Sequence, residues 1–180
     1  MRYVGIFILY LILFSSVNAQ EFKGEKGEIV FISQAPLSEF EGKSQALNGL
    51  VDFDKNLLDF FIDLNTLKTG IGLRDRHMRE NYLETKKFPF AEFTGKMKTV
   101  PSLEAGKSQN VVAVGKFKIH GVVREIEVPG QLTLQGNELL LKASFKVLLS
   151  DHNIPIPTVM FYELAEEQIV NISIRLKKTN

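Results

Sequence analysis

From about residue 28 to residue 176 the chain repeats one pattern. Short runs in which apolar and polar residues alternate are separated by Gly, Asn, Asp or Pro. A period of two places every second side chain on the same face of an extended strand, so each run has one face for water and one that must be buried. Leu47, Gly49, Val51 and Phe53 alternate with Asn48, Leu50 and Asp52; Leu58, Phe60, Ile62 and Leu64 alternate with Asp59, Phe61 and Asp63. In 91–98, Phe93 and Met97 oppose Glu92, Thr94, Lys96 and Lys98. In 168–176, Val170, Ile172, Ile174 and Leu176 oppose Asn171, Ser173 and Arg175. Further runs are 28–33, 111–120, 122–128, 131–135 and 138–149, with turn signals at 54–56, Gly121, Pro129-Gly130 and Gly136-Asn137. This predicts about eight to nine antiparallel strands in a sandwich or closed barrel.

The outward faces carry Lys96, Lys98, Lys116, Lys118, Lys142 and Lys146. Such charges would be strongly destabilising against lipid, so these faces meet water and the strands do not form a membrane barrel. Residues 1–19 have a different character: Arg2, an apolar stretch from Val4 to Phe14, then Val17-Asn18-Ala19. That is the pattern of a secretory signal peptide cleaved after Ala19. Its apolar run falls short of the ~20 residues a spanning helix needs, so the mature chain is expected to lack an integral span and to be periplasmic or secreted. Residues 20–180 then form a single domain. Loss of Arg2 leaves 21 Lys+Arg against 21 Asp+Glu, a balance without the basic stripe of a nucleic-acid binder. Cysteine is absent, which removes disulfides, thiol chemistry and lipoprotein processing.

The apolar faces supply a large inward set: Val51, Phe60, Ile62, Phe93, Met97, Phe117, Ile119, Val147, Leu149, Ile172 and Ile174. With roughly eight strands, the interior is either packed solid or wide enough for one small ligand. The chain has 14 Phe, 4 Tyr and no Trp, so its interior is apolar with few polar handles. Gly49, Gly95 and Gly115 fall on apolar faces, where they remove volume. Pattern alone leaves both readings open. Catalytic signals are thin. His77, His120 and His152 show no metal-ligand spacing, and no Gly-x-Ser-x-Gly elbow or phosphate-binding glycine loop is present. No enzyme activity, metal or cofactor is therefore expected. The sequon at Asn171-Ile172-Ser173 lies inside a strand.

One segment breaks the alternation. Between Gly72 and Phe93, charged and aromatic residues cluster. Asp75 and Arg79, Arg76 and Glu80, and Met78 and Tyr82 are all four apart, which puts each pair on one face of a helix. A short helix over about 74–84 is expected, limited by Pro89. Met78 and Tyr82 would face the interior as part of a cover over one end. Arg74 and His77 would lie at the mouth, where a planar guanidinium suits an anionic head group. The simpler alternative pairs Arg74 with a neighbouring carboxylate and leaves Asp75 near the helix N-terminus, favoured by the dipole.

Arg74, Asp75, His77, Tyr82, Leu83, Pro89 and Phe93 carry a resemblance to the YceI-like family. Two more stretches carry it too: Gly115-Lys-Phe-Lys-Ile-His-Gly-Val-Val-Arg124, and Ser144-Phe-Lys-Val-Leu-Leu-Ser-Asp-His-Asn-Ile-Pro-Ile-Pro157. The resemblance spans most of the chain after residue 20. It implies an all-β, antiparallel eight-stranded lipocalin-like barrel with one short helix inserted near 74–84. It also implies non-covalent storage or transport of a long lipophilic molecule, such as a polyisoprenoid. Met78 and Tyr82 join the inward set as ligand contacts, with Arg74 and His77 at the head group. Met78 stands where Leu is usual, and Asn81-Tyr82-Leu83 where Asp-Phe-Phe is usual; these changes bear on ligand preference and leave the fold intact. The alternative is a structural or stress-response envelope protein whose barrel is filled. A strand edge left open would let the chain pair with a second copy as a homodimer.

Overall fold

The computed structural model describes residues 20–156 and 164–179; the expected leader, residues 1–19, lies outside the described residues. Eight strands follow one another: β1 (Glu21–Ala35), β2 (Ser38–Asp52), β3 (Leu57–Asp63), β4 (Phe90–Met97), β5 (Ser108–Ile119), β6 (Val122–Gln135), β7 (Glu138–Leu148) and β8 (Glu167–Lys178). Each pairs antiparallel with the next, and β8 returns to β1 to close the barrel. Closure at that seam removes the open edge on which a strand-paired dimer was expected to rest. Among the described residues no helix is long and apolar enough to cross a membrane.

Turn chemistry fixes the register. At 53–56, the Asp52 carboxylate accepts from the Lys55 N–H at 2.9 Å, and Asn56 takes a left-handed φ of 48°. The Asn56 amide then donates to the Met97 carbonyl at 2.9 Å and accepts from the Met97 N–H at 3.0 Å, tying the β2–β3 turn to the end of β4. His120 and Gly121 take φ of 52° and 74° in the two-residue β5–β6 connection, as a primed hairpin turn requires.

Two strand readings need correcting. Pro129-Gly130 is not a break: β6 continues through it. Pairing with β7 begins at Gly130, so a missing N–H at Pro129 breaks no bond on that flank. The count is therefore eight. β1 and β2 are also far longer than alternation suggested, at 15 residues each. In the first half of β2 the inward positions include Gly42 and Ser44, which carry no apolar signal. In β1 a register shift around Gly27, with Lys26 at φ 62°, interrupts the period.

The β3–β4 connection holds a 3-10 turn (Leu64–Thr66), helix α1 (Gly72–His77) and a π-helical turn (Met78–Tyr82). The helical stretch thus starts two residues before the expected 74, and its second half is π. Leu83 N–H reaches back five residues to the Met78 carbonyl, at 2.8 Å. Asp75 does not pair with Arg79, nor Arg76 with Glu80, as an ion pair among the described residues. Instead the Asp75 carboxylate accepts from the backbone N–H and hydroxyl of Thr69, both at 2.7 Å. Burial alone would push the Asp75 carboxyl up. The Thr69 hydrogen bonds, helped by the Lys68 and Arg79 charges, prevail and hold it below its ordinary range.

The barrel has two unlike ends. The closed end gathers the start of β1, the end of β8, the 53–56 and 136–137 turns and the β4–β5 loop. It is packed solid: Val51, Leu139 and Leu176 are fully buried, and Phe22 meets Phe53 edge to face at 5.8 Å. The other end carries the β1–β2 turn, the 64–89 insertion, the 120–121 turn and residues 149–156.

Candidate ligand-binding site

Above the packed floor the interior is hollow. A cavity of about 530 Å³ runs from Met97 and Leu132, deep in the barrel, to the insertion. The filled barrel of the alternative reading does not describe this interior. The walls come from alternate residues of the strands: Phe60 and Ile62 on β3, Phe93 and Met97 on β4, Phe117 and Ile119 on β5, Val147 near the end of β7, and Ile172 on β8. Leu149, just past β7, and Met78 and Tyr82 of the π turn complete the expected set on the cavity. Val51 and Ile174 do not reach it. They point inward as alternation requires, but below the hollow, where neighbours enclose them at 0% and 2% exposure.

The inward glycines behave differently from expectation. A Cβ on Gly49 would fall 2.3 Å from the Phe60 ring, and one on Gly115 would fall 2.9 Å from the Phe93 ring. Their missing volume is occupied by those rings rather than added to the hollow. Gly42 does the same for Phe31.

Several wall residues carried a signal that alternation could have found. Phe145 and Val170 share the faces of Val147 and Ile172, and Leu83 lies one π turn below Met78. Ile29, Phe31 and Phe40 lie where β1 and β2 lose their clear period. Gln168 carried no signal at all. It is a buried polar wall residue whose amide donates to the Ala165 carbonyl at 2.6 Å, while its Oε1 has no partner among the described residues.

At the mouth, Ser38 and Phe40 of β2 face Ile71, Leu73, Arg74 and His77 of the insertion. Arg74 makes no carboxylate pair among the described residues. Its guanidinium lies 4.1 Å from the centre of the Phe40 ring. His77 is exposed and also borders the opening.

The other two histidines pin the insertion to the barrel. His120 Nε2 meets Glu84 Oε2 at 2.8 Å, and His120 Nδ1 meets the His152 carbonyl at 3.0 Å. A carboxylate and a carbonyl both accept, so the two bonds form together when the ring carries both protons. Phe88 packs on the His120 ring at 4.8 Å. His152 faces the Val122 carbonyl at 3.2 Å and packs against Phe117. Burial holds the His152 pKa below its ordinary value. Three connections at the open end (84–88, 120–122 and 152–153) are thereby joined.

This architecture has known counterparts. A polyisoprenoid-binding domain from Saccharophagus degradans superposes with a TM-score of 0.78 at 18% identity, covering 89% of this chain and 99% of that one. BcnA of Burkholderia cenocepacia gives 0.66 at 14% identity, covering 83% and 96%. The Campylobacter jejuni YceI protein gives 0.67 at 18%, covering 82% and 90%. In sequence, a UPF0312 protein of Yersinia enterocolitica is 29% identical over 135 residues, 68% of this chain and 67% of that protein. The model of the YceI-like domain matches residues 21–177, the whole barrel but for its last strand residue, and the chain belongs to that family.

Proposed function

We propose that this chain binds a long lipophilic molecule, an isoprenoid lipid, non-covalently in the barrel cavity and outside the cytoplasm. The observation that carries the reading is the hollow itself. Its volume of about 530 Å³ lies within the ~300–1,000 Å³ usual for ligand sites, and its walls are predominantly apolar, with Gln168 and Glu92 among them and Ser38, Arg74 and His77 at the mouth. A long apolar chain would gain roughly 25 cal/mol for each Å² it removes from water there. The structural likeness to a polyisoprenoid-binding domain supports the same ligand class. The leader-like pattern of residues 1–19 supports export. N-terminal sequencing of the mature protein is expected to begin at Gln20; an intact Met1 on the mature protein would overturn that part.

The polar end of such a ligand belongs at the mouth, beside Arg74 and His77. The Arg74 guanidinium lies over the Phe40 ring at the mouth, and its planar fork of N–H donors suits an anion. Native mass spectrometry of gently purified protein is expected to find a co-purifying lipid. Added long-chain prenol should raise the melting temperature, since it binds only the folded state. No lipid mass and no thermal shift would defeat the reading. Arg74→Ala should weaken binding of a prenyl phosphate by roughly tenfold, the order of one charge-assisted hydrogen bond, and spare the matching prenol. Equal loss of both would make Arg74 a support for the insertion rather than a head-group contact.

A further inference from the structure

We propose that the open end of the barrel docks on the surface of an anionic lipid bilayer, with Ile71 and Leu73 entering the interface and cations of the 64–89 insertion meeting lipid phosphates. The inference rests on lipid binding in the cavity and adds where the lipid is exchanged. Exposed large apolar side chains are not scattered over the described residues. Val100 is the one at the closed end; Leu37, Phe61, Ile71, Leu73, Phe90, Val123 and Leu148 all lie on the open half. Ile71 and Leu73 are 50% and 53% exposed although both border the cavity, so they form the rim through which a chain would pass. Phe61 borders it as well and meets Phe90 edge to face at 6.2 Å. Leu37, the most exposed at 76%, sits in the β1–β2 turn next to Ser38 of the mouth. Apolar residues gathered at an opening mark an interaction surface rather than ordinary scatter.

Charge selects the occupant. The insertion, residues 64–89, holds six Lys and Arg against three Asp and Glu, while the chain as a whole carries only +1. One of the three acids, Asp75, is buried against Thr69 and turned away from solvent. Lys68 and Arg76 are exposed within a few residues of Ile71 and Leu73. Apolar side chains flanked by cations are what an anionic bilayer surface attracts, through burial at the acyl boundary and attraction to phosphate together. Docking in this orientation would put the cavity mouth against the membrane. A polyisoprenoid could then pass from bilayer to barrel without crossing water, and the solid closed end would face away.

The test is flotation of the full-length mature protein with vesicles of phosphatidylcholine alone or with phosphatidylglycerol added, at low salt and at ~1 M salt, where the Debye length falls to ~3 Å. Binding is expected on the anionic vesicles at low salt and should weaken severalfold at high salt. Ile71→Asp with Leu73→Asp should lower it at least tenfold. Both side chains are half exposed, so circular dichroism and the melting temperature should stay near wild type. Arg76→Glu should give a smaller, salt-sensitive loss. Equal flotation of wild type and the double aspartate variant, or equal binding to neutral and anionic vesicles, would overturn the proposal. A wild-type protein that carries lipid by native mass spectrometry yet floats with neither vesicle would overturn docking and leave lipid binding standing. Flotation without any bound or extractable lipid would support the surface and reject the cavity ligand.

Discussion

Gly115→Val is expected to destabilise the protein by about 3 kcal/mol or more, the upper range for forcing volume into a packed interior. At roughly 2–4 °C per kcal/mol for a domain of this size, the melting temperature should fall by roughly 10 °C. Gly115 on β5 sits directly opposite Gly95 on β4. A Cβ at Gly115 would lie 2.5 Å from both the Gly95 Cα and the Thr94 carbonyl oxygen. One at Gly95 would lie 2.4 Å from the Val114 oxygen. These neighbours are backbone, so relief requires spreading two hydrogen-bonded strands rather than turning a side chain. The Phe93 ring covers the same spot, so it would be displaced as well. Gly72→Ala is the control. It lies in α1, no atom is within 4 Å of its Cβ position, and its stability should match or slightly exceed wild type. A Gly115→Val protein that melts with wild type would mean that β4 and β5 do not close in this register.

The contrast between those two glycines shows what could be read from the chain and what could not. Alternation is a local signal, so it placed Phe60, Phe93, Phe117 and Ile172 on inward faces and gave eight to nine strands. It says nothing of depth along a strand. Val51 and Ile174 alternate as cleanly as Phe60, yet they belong to the floor, because height is set by register against neighbours up to 100 residues or more away in sequence. Nor does it reveal whether an inward glycine enlarges a hollow or admits a ring. Gly49 and Gly115 do the latter, and only the cross-strand partners show it. The first half of β2 was hidden because its inward face uses Gly42 and Ser44, with Phe31 of the neighbouring β1 supplying the bulk. The insertion was legible as a helix through its spacing of four. The expected ion pairs gave way to Asp75 bonding Thr69, a partner outside the helix, and the chain then opened to π geometry. Three stretches in the right order carried the family, since they include residues with positional duties, such as His120 in its left-handed turn and Asn153 at φ 56°.

Ala143→Phe is expected to abolish most ligand occupancy, by at least tenfold, while leaving the fold intact. Ala143 faces the cavity from β7, between Gly130 of β6 and Ile172 of β8, and all three border the hollow. Its partner Gly130 has no side chain, and a Cβ there would meet the Lys142 carbonyl oxygen at 3.0 Å and the Ala143 methyl at 3.3 Å. Because Ala143 borders the hollow, a phenyl ring at 143 is expected to extend into that space. It buries new apolar surface and fills a void, changes that leave stability unchanged or raise it. The same ring would occupy part of the hollow that runs from the Met97–Leu132 floor to the Met78 cover, so a linear chain is expected no longer to extend along the barrel. Ala143→Val should give an intermediate loss, because it narrows the passage without blocking it. Native mass spectrometry reads occupancy, and thermal unfolding without added lipid reads the fold. The combination matters: loss of lipid from a protein that melts at or above wild type assigns the ligand to the cavity. Full occupancy in a folded Ala143→Phe protein would place the lipid elsewhere, and the barrel interior would have to be given up as the binding site.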